Sequence, residues 1–199
     1  MTLSTTYPLD DRNLLSQLSE AAHYQPFILR AAEKYSLQPA IIAGLCSRES
    51  NWGLTLKPKG PEGTGGFHER KCPTKYRTGP LPADGGFGRG LLQIDFDAHE
   101  FARGDRWKDP QENILYGCKV LAQCLGIIRR KAAAGLGDVA ADLSAQEILR
   151  AALASYNAGP GRVLKAIKEG KGIDHYTPGR DYSADVFNRA RWFQAHGWA

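Results

Sequence analysis

The chain has 199 residues, a length that fits one compact domain spanning 1–199, and no internal repeat or linker divides it. Its hydrophobic share of 42%, aromatic share of 10% and charged share of 24% exclude an intrinsically disordered chain. The excess of 26 Lys and Arg over 21 Asp and Glu, with a pI near 9.0, favours acidic partners in general; the densest basic run, Arg129-Arg130-Lys131, is too short for a nucleic-acid footprint.

The first residues, Met1-Thr2-Leu3-Ser4-Thr5-Thr6-Tyr7-Pro8, lack the basic start and apolar run of a secretory signal. No stretch reaches the roughly 18 apolar residues of a membrane span. The expectation is a soluble protein made in the cytoplasm, with no membrane insertion.

Pro26 opens the first predicted helix, with Phe27, Ile28, Ala31 and Tyr35 on one side. Pro39 opens the second, with Ile41, Ile42, Leu45 and Cys46; each proline takes the first-turn position where its missing N–H does no harm. Between Gly53 and Gly90 the periodicity disappears, and ten of the 22 glycines and five of the 11 prolines fall there. Such a stretch inside a compact domain reads as functional loops or small hairpins.

Asp109-Pro110-Gln111-Glu112 combines an N-cap, a first-position proline and a glutamate in the first turn. It starts a long central helix through Ile114, Leu115, Cys118, Leu121, Leu125 and Ile128. Ser144-Ala145-Gln146-Glu147 is a capping box ahead of Ile148, Leu149, Ala152, Leu153 and Tyr156. Pro160 starts a short helix through Ile167, and a last helix runs from about Tyr182 to His196. The sum is a mainly α fold of the α+β kind, helical with a small β or loop region.

Cys46, Cys72, Cys118 and Cys124 are too few and too spread for a disulfide scaffold. Cys118 and Cys124 lie six residues apart on one helix, a rise of about 9 Å and beyond disulfide reach. Buried free thiols are expected, with a Cys46–Cys72 bridge left open. No Cys or His pair has the spacing of a zinc site, so neither metal nor other cofactor is expected.

One residue breaks the apolar pattern. Glu49 follows Cys46 by three positions, Leu45 by four and Ile42 by seven, which puts a carboxyl on the core-facing stripe of a helix. Burial disfavours the charged form and raises the pKa, as a general acid working near neutral pH requires. The alternative is a structural glutamate paired with Arg48 or another cation.

Three segments surround this position in chain order: Ser47-Arg48-Glu49-Ser50-Asn51-Trp52-Gly53, Gly88-Arg89-Gly90-Leu91-Leu92-Gln93-Ile94-Asp95 and Ala154-Ser155-Tyr156-Asn157-Ala158-Gly159-Pro160-Gly161. Together they resemble the motifs of the goose-type lysozymes and of their relatives, the lytic transglycosylases. Asp84-Gly85-Gly86-Phe87, Asp95-Phe96-Asp97-Ala98-His99 and the ending Asp181-Tyr182-Ser183-Ala184-Asp185-Val186 bring the chain nearest the goose-type branch.

The resemblance implies a lysozyme-like fold whose small β region lines a cleft, and an enzyme that cleaves the β-1,4 bond between N-acetylmuramic acid and N-acetylglucosamine in peptidoglycan strands. Glu49 would be the acid, with Asp84 and Asp95 positioning water. Gln93, His99, Tyr156 and Asn157 would contact substrate, the Tyr156 hydroxyl orienting Glu49 or the acetamido group. An inverting glycosidase needs its two carboxyls about 6.5–9.5 Å apart to leave room for that water.

Lytic transglycosylases lack such aspartates and close an anhydro ring with the substrate's own hydroxyl, so the aspartates favour hydrolysis. A silent wall-binding module is the further alternative. Each aspartate also has a structural reading, Asp84 in an ordinary turn and Asp95 as a helix cap. Acting on the wall as a monomer without a signal, the protein would travel as an endolysin or a delivered toxin, or lack a leader that was removed. The 35 residues from Glu49 to Asp84 exceed the family's expected spacing. The excess carries Lys57, Lys59, Arg70, Lys71, Lys75 and Arg77, a basic lip suited to peptide-stem carboxylates.

Overall fold

The computed structural model describes residues 5–67, 86–135 and 143–198. Six α-helices and three two-residue strands appear among them: α1 (Arg12–Tyr35), α2 (Pro39–Ser50), β1 (Thr64–Gly65), β2 (Gly88–Arg89), β3 (Ile94–Asp95), α3 (Pro110–Ala133), α4 (Ala145–Ala158), α5 (Pro160–Lys168) and α6 (Tyr182–Ala195). The fold is therefore mainly helical with a small antiparallel sheet, as the sequence pattern indicates.

Five of the predicted helix starts, that of α6 at Tyr182 among them, stand where the sequence puts them. Asp109 caps α3 by accepting the Glu112 N–H at 2.9 Å. Ser144 and Glu147 form the reciprocal box at the head of α4, and Pro39 and Pro160 occupy the first turns of α2 and α5.

The start at Pro26 is wrong. Helix α1 begins at Arg12, capped by Asp11 accepting the Leu14 N–H at 2.9 Å, and runs through the proline without a break. The reason is its buried stripe, Leu14, Gln17, Ala21, Tyr24, Ile28 and Ala31, which continues on both sides of Pro26. Burying that face against α2 and α3 outweighs the roughly 3 kcal/mol that an interior proline costs.

The sheet has the order β1-β2-β3, with Gly65 opposite Gly88 and Gly88 opposite Asp95. Two-residue strands carry no period-two pattern, which is why the sequence reads here only as loop. One core runs through all the long helices, from Leu14 and Ile28 through Ile42, Leu45, Leu91, Leu92, Ile114 and Leu121 to Val186 and Phe193.

After Ser50 the chain reverses through two left-handed residues, Asn51 (φ 46) and Trp52 (φ 59). A bulky residue rarely adopts that conformation; packing holds it there. The Trp52 indole is fully buried, with ring centroids 6.2 Å from Tyr24, 5.6 Å from Phe193 and 5.4 Å from Trp198.

Helices α2 and α6 touch at Gly44. A Cβ there would lie 2.6 Å from the Val186 carbonyl oxygen and 2.8 Å from the Ala190 nitrogen, both backbone atoms. The Gly44→Ala variant gains about 1 kcal/mol of helix propensity but forces apart two packed backbones, a larger penalty of about 1–3 kcal/mol or more. It is expected to unfold at lower urea than the native chain, and a midpoint at or above the native one would show that the contact is loose.

Candidate active site

Glu49 occupies the last turn of α2, the negative end of the helix dipole, which disfavours a carboxylate. One face of its carboxyl borders a small pocket of about 130 Å³ lined by Glu49, Gln93, Ile94, Asp95, His99, Val120, Tyr156 and Asn157. Burial pushes its pKa up to about 7; the hydrogen bond from the Tyr182 hydroxyl to Oε1 and the charge of Arg48 pull the other way without cancelling that effect.

The structure thus brings together Glu49, Asp95, Gln93, His99, Tyr156 and Asn157 from α2, the β3 region and the end of α4. Asp84 lies outside the described residues, as do Cys72, Arg70, Lys71, Lys75 and Arg77. Of the basic lip, Lys57 and Lys59 are described, and the Lys57 ammonium lies 5.2 Å from the Phe67 ring centroid.

The turn that carries Gln93 and Asp95 is held by one polar side chain from each of three helices. Ser50 of α2 donates to the Leu91 carbonyl at 2.8 Å, and Asn113 of α3 accepts the Leu92 N–H at 2.9 Å. Tyr156 of α4 donates its hydroxyl to the Leu92 carbonyl at 2.7 Å. Asn113 also donates to the carbonyls of Arg89 and Trp107, so a buried amide satisfies three backbone groups.

Gly90 (φ 68) and Gln93 (φ 47) give that turn its left-handed corners. Gly65 and Gly88 leave room for the Gln93 amide: a Cβ at either would meet Gln93 Oε1 at 2.3 or 2.1 Å. Asp95 Oδ1 accepts the N–H groups of Asp97 at 2.8 Å and Ala98 at 2.9 Å. Asp95 therefore closes a turn over residues 96–98 instead of capping a helix, since His99 stands at the N-cap of the next helical turn, Glu100–Arg103, and Asp95 also lines the pocket.

The role expected for Tyr156 needs correction. Its hydroxyl is engaged by Leu92, and the hydroxyl on Glu49 is that of Tyr182, from the first turn of α6. Sequence reading missed Tyr182 because it falls on a stripe with Val186, Ala190 and Phe193, where it looks like a core residue. His99 Nδ1 lies 3.2 Å from the Tyr116 hydroxyl. Burial holds the His99 pKa below its ordinary value, so the ring is neutral near pH 7.

Cys46, Cys118 and Cys124 are free and buried. Among the described residues no cluster of His, Cys, Asp or Glu is arranged to hold a metal ion, and no helix is long and apolar enough to cross a membrane.

A sequence profile of the family described as lysozyme g matches residues 76–197. The chain is similar to lysozyme g of Struthio camelus, 26% identical over 91% of this chain and 71% of the relative. It is similar to lysozyme g of Gallus gallus, 30% identical over 88% and 65%. It is also similar to lysozyme g of Cyprinus carpio, 27% identical over 91% and 78%. The profile match begins after Glu49, but alignments covering about nine tenths of the chain necessarily include it.

The raised pKa of Glu49 is also a statement about stability. Below pH 4.5 the acid is protonated in both folded and unfolded chains; between 4.5 and about 7 only the unfolded chain ionises; above that the full penalty stands. Glu49→Gln is expected to stabilise the fold at pH 8 by about 2–3 kcal/mol and hardly at all at pH 4. Urea denaturation of both chains at the two pH values checks this, and equal gains at both would mean that Glu49 titrates as an ordinary carboxyl.

Proposed function

The chain belongs to the lysozyme g family, and from that premise we propose that it is an inverting muramidase with Glu49 as general acid and Asp95, together with Asp84, as the water-handling carboxylates. Membership makes it a glycoside hydrolase of the lysozyme type. Its substrate is the peptidoglycan glycan strand, cut at the β-1,4 bond between N-acetylmuramic acid and N-acetylglucosamine, and it acts as a monomer on the bacterial wall.

The observation that carries the reading is a carboxyl with a pKa of about 7 at the wall of a pocket that also holds Asp95. At neutral pH a large fraction of Glu49 is protonated. Its proton passes to the glycosidic oxygen as that bond breaks, and the resulting carboxylate accepts the Tyr182 hydrogen bond. Water adds to the anomeric carbon from the opposite face and gives its proton to an aspartate, so each product ends in a hydroxyl. The two carboxyls divide the work because one is pushed up by burial and the other is ringed by backbone N–H groups on an open turn.

Gln93, Asn157 and neutral His99 line the remaining walls beside Tyr156 and supply hydrogen-bonding groups for the sugar. Gln93 holds its amide in place by donating to the Gly90 carbonyl at 2.8 Å. A side chain fixed in this way can contact substrate without losing rotamer freedom on binding.

Glu49→Gln is expected to lower wall clearing by about 10²–10⁴-fold while the circular dichroism spectrum stays native; near-native turnover would remove Glu49 from the role. Asp95→Asn is expected to cut turnover strongly yet leave sedimentation with purified walls unchanged. Mass spectrometry of released fragments should find reducing ends. Anhydro-muramic ends would establish a lytic transglycosylase, and wall binding without clearing would establish a binding module.

A further inference from the structure

Tyr182 places its hydroxyl on Glu49, but something must hold the Tyr182 ring. Asp181, just ahead of α6, and Asp185, in its first turn, stand on either side of this tyrosine, and both reach the residue next to Glu49. Arg48 Nη1 donates to Asp185 Oδ2 at 2.6 Å and Nη2 to Asp181 Oδ1 at 3.2 Å. The guanidinium spanning the two carboxylates sits 5.6 Å from the Tyr182 ring centroid.

We propose that Arg48, clamped by Asp181 and Asp185, is a positioning residue that holds the Tyr182 ring so that its hydroxyl stays on Glu49 Oε1. This rests on Glu49 being the acid. A planar fork suits the task because it bridges two carboxylates while offering a flat face to the ring.

The clamp is itself anchored. Asp185 Oδ2 also accepts Arg189 Nε at 2.8 Å, and its other oxygen accepts the Tyr7 hydroxyl. Arg189 Nη1 donates to Ser47 Oγ at 2.8 Å, and Ser47 donates to buried Gln17 at 2.7 Å. The network therefore ties α6 to α1 and α2 beneath the acid. Burial would raise the Asp185 pKa, but the Tyr7 hydroxyl and the Arg189 and Arg48 guanidiniums outweigh it and keep it an anion.

Several other ionisable groups face Glu49. Tyr156 comes from α4, Cys46 from α2 itself, and Cys118 lies behind it on α3; burial raises all three and keeps them neutral. Tyr182 is raised by the same cause and by the neighbouring carboxyl. His99 is held neutral, and Asp95 shares the pocket. Arg48 is thus the cation whose loss would be felt most directly at Glu49, with Asp181 and Asp185 behind it.

The test separates the charge of Arg48 from its shape. Arg48→Lys keeps the charge and loses the fork: kcat is expected to fall about 10-fold with KM within two-fold and the alkaline limb of kcat/KM near its native position. Arg48→Gln loses both, and its alkaline limb moves to higher pH, because removing the cation and loosening the Tyr182 bond each favour the protonated acid. In a Tyr182→Phe background Arg48→Lys should cause no further loss of kcat.

Native kcat in Arg48→Lys, or the same fold-loss with and without the Tyr182 hydroxyl, would overturn the proposal. Asp185 keeps Arg189 and Tyr7 in these variants, so the fold should persist, as thermal unfolding will verify. If Arg48→Lys does not fold, exposed Asp181→Asn takes its place: a fall in kcat of about two-fold or more that vanishes in the Tyr182→Phe background supports the clamp, and native kcat rejects it. An active Glu49→Gln enzyme would instead reject the acid assignment on which the clamp is built.

Discussion

A carboxyl at the C-terminal end of a buried helix is under two pressures that act in the same direction. The low dielectric around α2 and the negative end of its dipole both oppose ionisation of Glu49, and among the described residues the Tyr182 hydroxyl and the Arg48 charge act against them. The balance leaves the group near half protonation at neutral pH, where a general acid is most effective. The same pocket holds a second carboxyl residue, Asp95. The fold accepts a destabilising ionisable group here, which is the usual relation between an active site and the stability of its scaffold.

The second requirement is a fixed distance between two elements with little local structure in common. The turn from Gly90 to Gln93 has no helix to stiffen it, and two-residue strands make a weak frame. Ser50, Asn113 and Tyr156 supply the stiffness, each reaching from a different helix to a backbone group of Leu91 or Leu92. Buried hydrogen bonds of this kind add little net stability each, but leaving one unmade costs much more, so the turn has few alternatives. Asp95 and Gln93 inherit their positions from that constraint.

What the sequence made legible follows from the range of the signals involved. Caps and first-turn prolines are local, so the starts at Pro39, Asp109, Ser144 and Pro160 could be read directly. Pro26 misled because its ordinary preference for a first turn was overridden by tertiary packing along the face of α1. The strands were invisible because two residues cannot show a period. Glu49 stood out as a polar residue on an apolar stripe, whereas Tyr182 did not, since a tyrosine on such a stripe is unremarkable until its hydroxyl is seen to meet Glu49 across 133 positions of sequence. Tyr156 lines the pocket, but its hydroxyl serves the backbone of the turn, a partner no sequence signal announces.

The account depends on one property more than any other, the proton affinity of Glu49 in the folded protein. Selective ¹³C labelling of glutamate, with the Glu49 carboxyl assigned by its absence in Glu49→Gln, allows that resonance to be followed by NMR from pH 3 to pH 9. The account requires a midpoint near 7, well above the 4.5 of a solvated glutamate. A midpoint at the ordinary value would mean that Glu49 is ionised at neutral pH and cannot be the acid around which the site is organised.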